Sequence, residues 1–206
     1  MKLGIIGAGY VGRTIAKLAI EAGHEVMISN SRGPETLFSL RAMTGCETGT
    51  VSEAIKFGEF VVVAVPLNAV GRLPADQLVG KQLLDAVNYY PERDGQVAEL
   101  EAGQISTSQW LAEQLPGAII TKAFNAIPMT ELETDGLPEG TEGRRAMPLA
   151  GDNVEGKRIA AELYQTFGFD TVDAGGLAEG RRFERGTPAY CVRMTRRELE
   201  TALSQV

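Results

Sequence analysis

The sequence predicts an α/β fold with a doubly wound, mostly parallel sheet. It forms a single domain over residues 1–206, with a short C-terminal helical tail at 176–206. Three observations lead there. Runs such as Phe60-Val61-Val62-Val63-Ala64-Val65 are apolar without alternation, as suits strands covered on both faces. Segments of helical period separate these runs along the whole chain. No repeat, linker or low-complexity tract divides it.

Composition narrows the function classes. The 206 residues are 44% hydrophobic and 23% charged, enough to bury a core. A net charge of −7 argues against a nucleic-acid or membrane-surface partner. Cys46 and Cys191 form no C-x-x-C and no metal spacing, so two reduced thiols and no bound metal are expected. The first residues do not read as a signal peptide, and no apolar run approaches the roughly 18 residues of a membrane span. A cytoplasmic location is expected.

The first element organises the rest. Leu3-Gly4-Ile5-Ile6 is a strand, followed by Gly7-Ala8-Gly9-Tyr10-Val11-Gly12. A helix follows, with Val11, Ile15, Leu18, Ala19 and Ala22 on one face, and then a second strand, Glu25 to Ser29. In such a βαβ unit, Gly7 makes the tight turn, Gly9 admits a pyrophosphate to the backbone, and Gly12 lets helix and strand pack closely. The helix N-terminus offers free N–H groups to phosphate. The sheet is therefore expected to be Rossmann-type, and the cofactor a dinucleotide.

After the second strand comes Asn30-Ser31-Arg32-Gly33-Pro34. An NAD site usually places an Asp or Glu here for the ribose 2′-OH. None is present, and Arg32 offers a planar fork of donors to a 2′-phosphate. NADP(H) is expected. The same residues would also serve as a loop before a helix that begins at Pro34.

Residues 34–43 read as the second helix, 46–50 as a short strand, and 51–57 as a helix capped by Thr50 with Glu53. The strand from Phe60 ends at Val65-Pro66-Leu67, with a short helix at 67–73. Residues 83–87 form a strand ending at Asn88-Tyr89-Tyr90. Residues 91–103 read as a loop, and Ser106 with Gln109 caps the next helix. The strand 118–124 leads into Asn125-Ala126-Ile127-Pro128-Met129. Residues 130–143, acidic and rich in Gly and Pro, read as a mobile loop. A strand at 145–150, a helix begun by Asp152 with Glu155, a strand at 169–174 and a helix from Thr195 complete the chain.

Ligands of such sheets bind beyond the C-terminal strand ends. These collect Gly7–Gly12, Asn30–Arg32, Val65–Leu67, Asn88 and the 125–129 stretch into one rim. The rim shows no Ser-His-Asp set, no paired carboxylates and no metal cluster. His24 falls at the opposite edge, Lys122 lies within a strand, and Tyr89 and Tyr90 suit packing. Ketone reduction usually needs a proton donor, whereas hydride exchange between two bound cofactors needs mainly proximity. The rim leans towards the second. Residues 181–197 hold arginines 181, 182, 185, 193, 196 and 197, either as surface charge or as a landing site for an anion.

The chain resembles the coenzyme F420-dependent NADP oxidoreductase family, with its NADPH-dependent F420 reductase-like members. The resemblance rests on the glycine turn, Asn30-Ser31-Arg32-Gly33-Pro34-Glu35, Val65-Pro66 and Asp85-Ala86-Val87-Asn88-Tyr89-Tyr90. It continues through Lys122-Ala123-Phe124-Asn125, Ala150-Gly151-Asp152 and the Gly168 to Gly175 region. It implies a homodimer, NADP(H) on the glycine turn with Ser31 and Arg32 at the 2′-phosphate, and a deazaflavin (F420) or flavin-like acceptor. Asn125, Ile127, Pro128 and Met129 would hold that acceptor beside the nicotinamide. The chain departs from the archaeal Gly-Gly-Thr-Gly turn and has Glu35 but no lysine after Arg32, leaving fewer cations for the phosphate. Rival readings are a small imine or hydroxyacid dehydrogenase, a ferric reductase, and an NADP(H)-sensing module without turnover.

Overall fold

The computed structural model describes residues 1–206. One eight-stranded sheet has the order β3-β2-β1-β4-β5-β6-β7-β8. Its strands are β1 (Lys2–Ile6), β2 (Glu25–Ser29), β3 (Glu47–Gly49), β4 (Phe60–Val63), β5 (Gln82–Asp85), β6 (Ile119–Lys122), β7 (Ala146–Gly151) and β8 (Asp170–Asp173). Neighbours pair in parallel except β6 with β7. The helices are α1 (Tyr10–Glu21), α2 (Phe38–Thr44), α3 (Val51–Phe57), α4 (Ala75–Leu78), α5 (Pro91–Asp94), α6 (Ala98–Glu101), α7 (Thr107–Gln114), α8 (Met129–Thr134), α9 (Val154–Thr166) and α10 (Arg196–Leu203).

The unbroken apolar runs divide between two faces because side chains alternate along a strand. Leu3, Ile5, Val62 and Leu84 meet Ile15, Leu40 and Leu163 on one face. Ile6, Val61, Val63 and Leu83 meet Ile55, Val70 and Leu111 on the other. The sheet is doubly wound. Strand order reverses between β1 and β4, opening a crevice at the glycine turn. Gly7 has φ +112, and a Cβ there would lie 2.2 Å from the Ala64 carbonyl oxygen. A Cβ on Gly12 would lie 1.9 Å from the Gly7 carbonyl oxygen. Both are therefore required by packing.

Antiparallel β7 overlaps β6 only at Thr121↔Gly151 and Lys122↔Ala150. The β7–β8 pair consequently extends past the ends of the parallel strands. The C-terminal residues cover it, with Phe183, Ala189, Leu199 and Leu203 buried against Ala146, Ala150 and Val172. The C-terminal tail, residues 176–206, is thus packed onto the fold, and its helical parts are a 3₁₀ turn at Leu177–Phe183 and α10.

Three expectations change. Residues 91–103 contain α5 and α6, because Asp94 bonds the Tyr90 N–H at 2.9 Å and closes a turn behind Pro91. Residues 130–143 begin with α8 and are anchored. Buried Arg145 pairs with Glu131 and Asp135, and Arg144 donates to the carbonyls of Leu137 and Gly168. Asn153, not Asp152, caps α9, accepting from the Gly156 N–H at 3.0 Å. The capping boxes of Thr50, Ser106 and Thr195 form as expected.

Candidate functional site: two joined clefts at the sheet crossover

Two clefts of ≈ 500 and ≈ 510 Å³ meet at the crossover and share Gly9, Ala64, Val65 and Pro66. The first is lined by Gly7, Ala8 and Gly9, by Asn30, Ser31 and Arg32, and by Val51, Ala69, Arg72, Leu73 and Pro74. Its floor is prepared for a ligand. Gly9 is extended at φ −75 and ψ −172, and a Cβ built there meets nothing within 4 Å. The backbone at Gly9 therefore borders open space that a pyrophosphate fits. Ala8 and Tyr10 flank it, and Arg13 donates to the Ala8 carbonyl at 2.7 Å, holding the turn against α1.

Asn30 shapes its loop from within. Its amide oxygen accepts the Arg32 N–H at 3.0 Å, and its amide nitrogen donates to Thr36 Oγ1 at 2.8 Å. That turn presents Ser31 and Arg32 to the cleft, where both are exposed. Arg32 and Arg72 have no acidic partner, and no Asp or Glu lines this cleft in a chain that holds 27 of them. Charge and space fit a polyanionic dinucleotide with a 2′-phosphate.

The second cleft is lined by Tyr10, Val11, Asn88, Tyr90, Arg93, Phe124, Asn125, Ile127, Pro128, Met129, Tyr190 and Cys191, among others. Asn88 and Asn125 lock its base. Asn88 Nδ2 donates to the Asn125 carbonyl at 2.9 Å, and Asn125 Nδ2 donates to the Phe183 carbonyl at 3.0 Å. At the mouth the hydroxyls of Tyr90 and Tyr190 lie 2.5 Å apart. The guanidiniums of Arg93 and Arg185 sit 4.8 and 5.1 Å from the Tyr90 ring centroid. Burial, together with the bond to Tyr90, pushes the Tyr190 phenol well above its usual range. Burial also pushes the Cys191 thiol up, so it is no ready thiolate.

Phe124 and Cys191 have φ of 64 and 56, unusual for residues with a Cβ, and both line this cleft. Phe124 is held there by the Tyr164 hydroxyl, which accepts its N–H at 2.7 Å and donates to Pro148 O at 3.0 Å. Beneath the cleft lies a buried polar group. Lys122 Nζ is 3.2 Å from Glu184 and 3.8 Å from Asp85, with no exposure of its side chain. Asp85 accepts from Ser108 at 2.5 Å and from the Val87 N–H at 2.8 Å, and burial raises its pKa above the ordinary carboxylate value. Glu184 also accepts the Thr107 N–H at 2.8 Å. Lys122 thereby ties the C-terminal segment under the site. It is a paired structural lysine.

Most of the predicted rim is gathered here. Two residues are not at its surface. Leu67 is 1% exposed and packs into the core beside Val70, because its 3₁₀ turn points it away from the crevice. Gly12 lies behind the turn. Sequence reasoning missed Arg72, Tyr190 and Cys191, which only the tertiary fold brings to the rim. His24 lies at the far edge, its Nδ1 3.5 Å from the Met1 amino group. The arginines of 181–197 do not form one patch, since Arg182 pairs with Glu179, Arg185 with Glu92 and Arg193 with Asp135. No cluster of His, Cys, Asp and Glu suits a metal ion, and both cysteines are free. No helix is long and apolar enough to cross a membrane.

Residues 2–89 match the family described as NADP oxidoreductase, coenzyme F420-dependent. Over these residues the chain is similar to that family. The match covers the first cleft's glycine turn, the Asn30–Arg32 loop and Asn88. The chain is also similar to Metalloreductase STEAP3 of Rattus norvegicus, 32% identical over 189 residues, which is 89% of this chain and 36% of that protein. The chain thus spans just over a third of that relative's length. A hypothetical protein from Sinorhizobium meliloti has a similar structure, with TM-score 0.81, 29% identity and 95% of each chain covered. A putative F420-dependent NADP reductase from Arthrobacter sp. FB24 shares the fold, with TM-score 0.72, 22% identity, and 88% and 87% of the two chains covered.

Proposed function

We propose that this protein is an NADP(H)-dependent oxidoreductase that passes hydride between the nicotinamide and a planar deazaflavin or flavin-like acceptor. One observation carries the reading. A cleft lined by two arginines, with the glycine turn open to phosphate, runs directly into an apolar cleft with a locked amide base. NADP(H) supplies the hydride chemistry when bound.

The chain's own residues do the positioning. Gly7 to Gly9 would take the pyrophosphate and Ser31 with Arg32 the 2′-phosphate. Val65 and Pro66, at the junction, would set the depth of the ring. Asn88 and Asn125, already fixed to each other, give the second cleft a rigid floor. Ile127, Pro128 and Met129 form an apolar wall against which a flat ring can stack and exclude water. Tyr90 and Tyr190 would close that mouth with their paired hydroxyls, and the proton that accompanies hydride onto the acceptor ring would come from solvent. Close, oriented approach of two rings lowers the barrier without a dedicated acid–base pair.

Stopped-flow oxidation of NADPH against riboflavin, coenzyme F420 and ferric chelates tests the reading. Fast turnover with a ring acceptor supports it. Turnover with the ferric chelate alone would favour metal reduction, the activity named in the rat relative. Binding of NADPH with no acceptor reduced would favour a sensing module. A cytoplasmic homodimer is the proposed setting, checked for its assembly by light scattering.

A further inference from the structure

Resting on the NADP(H) reading above, we infer that Arg72 is a second guanidinium for the 2′-phosphate and a determinant of coenzyme choice. Arg32 follows β2 and Arg72 closes the 3₁₀ turn after β4. Those two strands flank β1 on either side of the crossover. The two arginines therefore approach one cleft from opposite walls.

Both approaches are anchored. The Asn30 side chain pins the Arg32 loop, as its oxygen accepts the Arg32 N–H at 3.0 Å. Leu67 and Val70 bury the turn that carries Arg72, and the Leu73 N–H bonds the Val70 carbonyl at 2.9 Å. Neither guanidinium is committed to a carboxylate, and the cleft contains no acid to neutralise them. A phosphate monoester near neutral pH carries roughly 1.5 to 2 negative charges and three acceptor oxygens. One arginine leaves part of that charge unmatched, whereas two approaching from opposite sides match it. The cation absent from the positions after Arg32 is thus supplied from forty residues further along the chain. Val51 and Ala69 add small apolar side chains to the same lining, which suits an adenine ring.

Calorimetric titration with 2′,5′-ADP and with 5′-ADP separates the possibilities, using the whole chain and its Arg32→Ala, Arg72→Ala and Arg72→Lys variants. Arg72 is exposed and outside the core, so each variant is expected to fold. Arg72→Ala should weaken 2′,5′-ADP about tenfold and 5′-ADP by less than about twofold, the size of one exposed charge-assisted contact. Arg72→Lys should recover part of the loss. Equal losses for both probes would place Arg72 on the base or the 5′-phosphates and overturn the inference. So would unchanged binding of 2′,5′-ADP. If Arg32→Ala alone abolishes the 2′-phosphate preference, the NADP(H) reading stands without Arg72. If the unaltered protein shows no preference between the two probes, both fall.

Discussion

Replacing Gly9 by valine separates ligand space from folding. At φ −75 and ψ −172 the backbone already suits a β-branched residue, and the added Cβ meets no atom within 4 Å. Valine at a helix N-cap costs about 0.5–1 kcal/mol against glycine. Loss of glycine's freedom in the unfolded chain returns about 0.4–1 kcal/mol. The two offset, so the melting temperature should move by no more than about 2 °C. The side chain instead fills the space that a pyrophosphate needs. Losing two charge-assisted bonds to backbone N–H groups, about 1.5–3 kcal/mol each, should weaken NADPH about 10²- to 10⁴-fold. Gly7→Ala is the contrasting control. There the Cβ would stand 2.2 Å from a carbonyl oxygen at φ +112, so strain of about 1–3 kcal/mol adds to a steric overlap and the fold should suffer first. Thermal melts and fluorescence titration of NADPH measure both. A folded Gly9→Val protein with unchanged NADPH affinity would refute the pyrophosphate assignment. A large fall in its melting temperature would refute the geometric reasoning.

Four other outcomes are expected. Arg32→Ala should weaken NADPH about 10- to 100-fold while changing NADH less than about threefold; equal losses in titration would remove the 2′-phosphate assignment. Met129→Trp should fill the second cleft and slow hydride transfer with NADPH affinity kept, and an unchanged stopped-flow rate would place the acceptor elsewhere. Lys122→Ala strands the buried Asp85 carboxyl and Glu184, so stability should drop by about 3–5 kcal/mol, with faster hydrogen exchange around residues 183–191; a melting temperature within about 2 °C would contradict this. Burial, followed by the nearby N-terminal amine, lowers the His24 pKa below 6.5. The unfolded chain then binds the proton more readily, so stability from neutral His24 is present above about pH 6.5 and is lost as pH falls through the folded pKa. A His24→Asn protein should melt with a shallower dependence between about pH 7 and 5, and identical slopes would exclude that role.

The short-range features were legible because their causes lie within a few residues. Gly7 needs a positive φ, Thr50 meets Glu53 three positions on, and the Phe60 run lacks polar alternation. The absence of an acid after β2 is equally local, and it favours NADP(H) over NAD(H) as an expectation. Local composition misled where the partner was remote. Glu131 and Asp135 looked like a solvated acidic loop, yet Arg145 and Arg193 anchor them in place. Leu67 looked like part of the rim because it follows Pro66, but a 3₁₀ turn rotates it into the core.

The sequence by itself determined the βαβ unit, the glycine turn, the strand runs and the loop without an acid after β2, since dihedral preference, capping and side-chain period act over one to four residues. The tertiary structure alone decided what lines the two clefts. Tyr190 lies a hundred residues from Tyr90, and Arg72 forty from Arg32, and neither spacing carries a signal. The antiparallel turn of β7 sends the chain past the sheet edge, and the buried Lys122 fastens the returning segment beneath the cleft. Register and packing between distant segments, not any local preference, bring those groups to one rim.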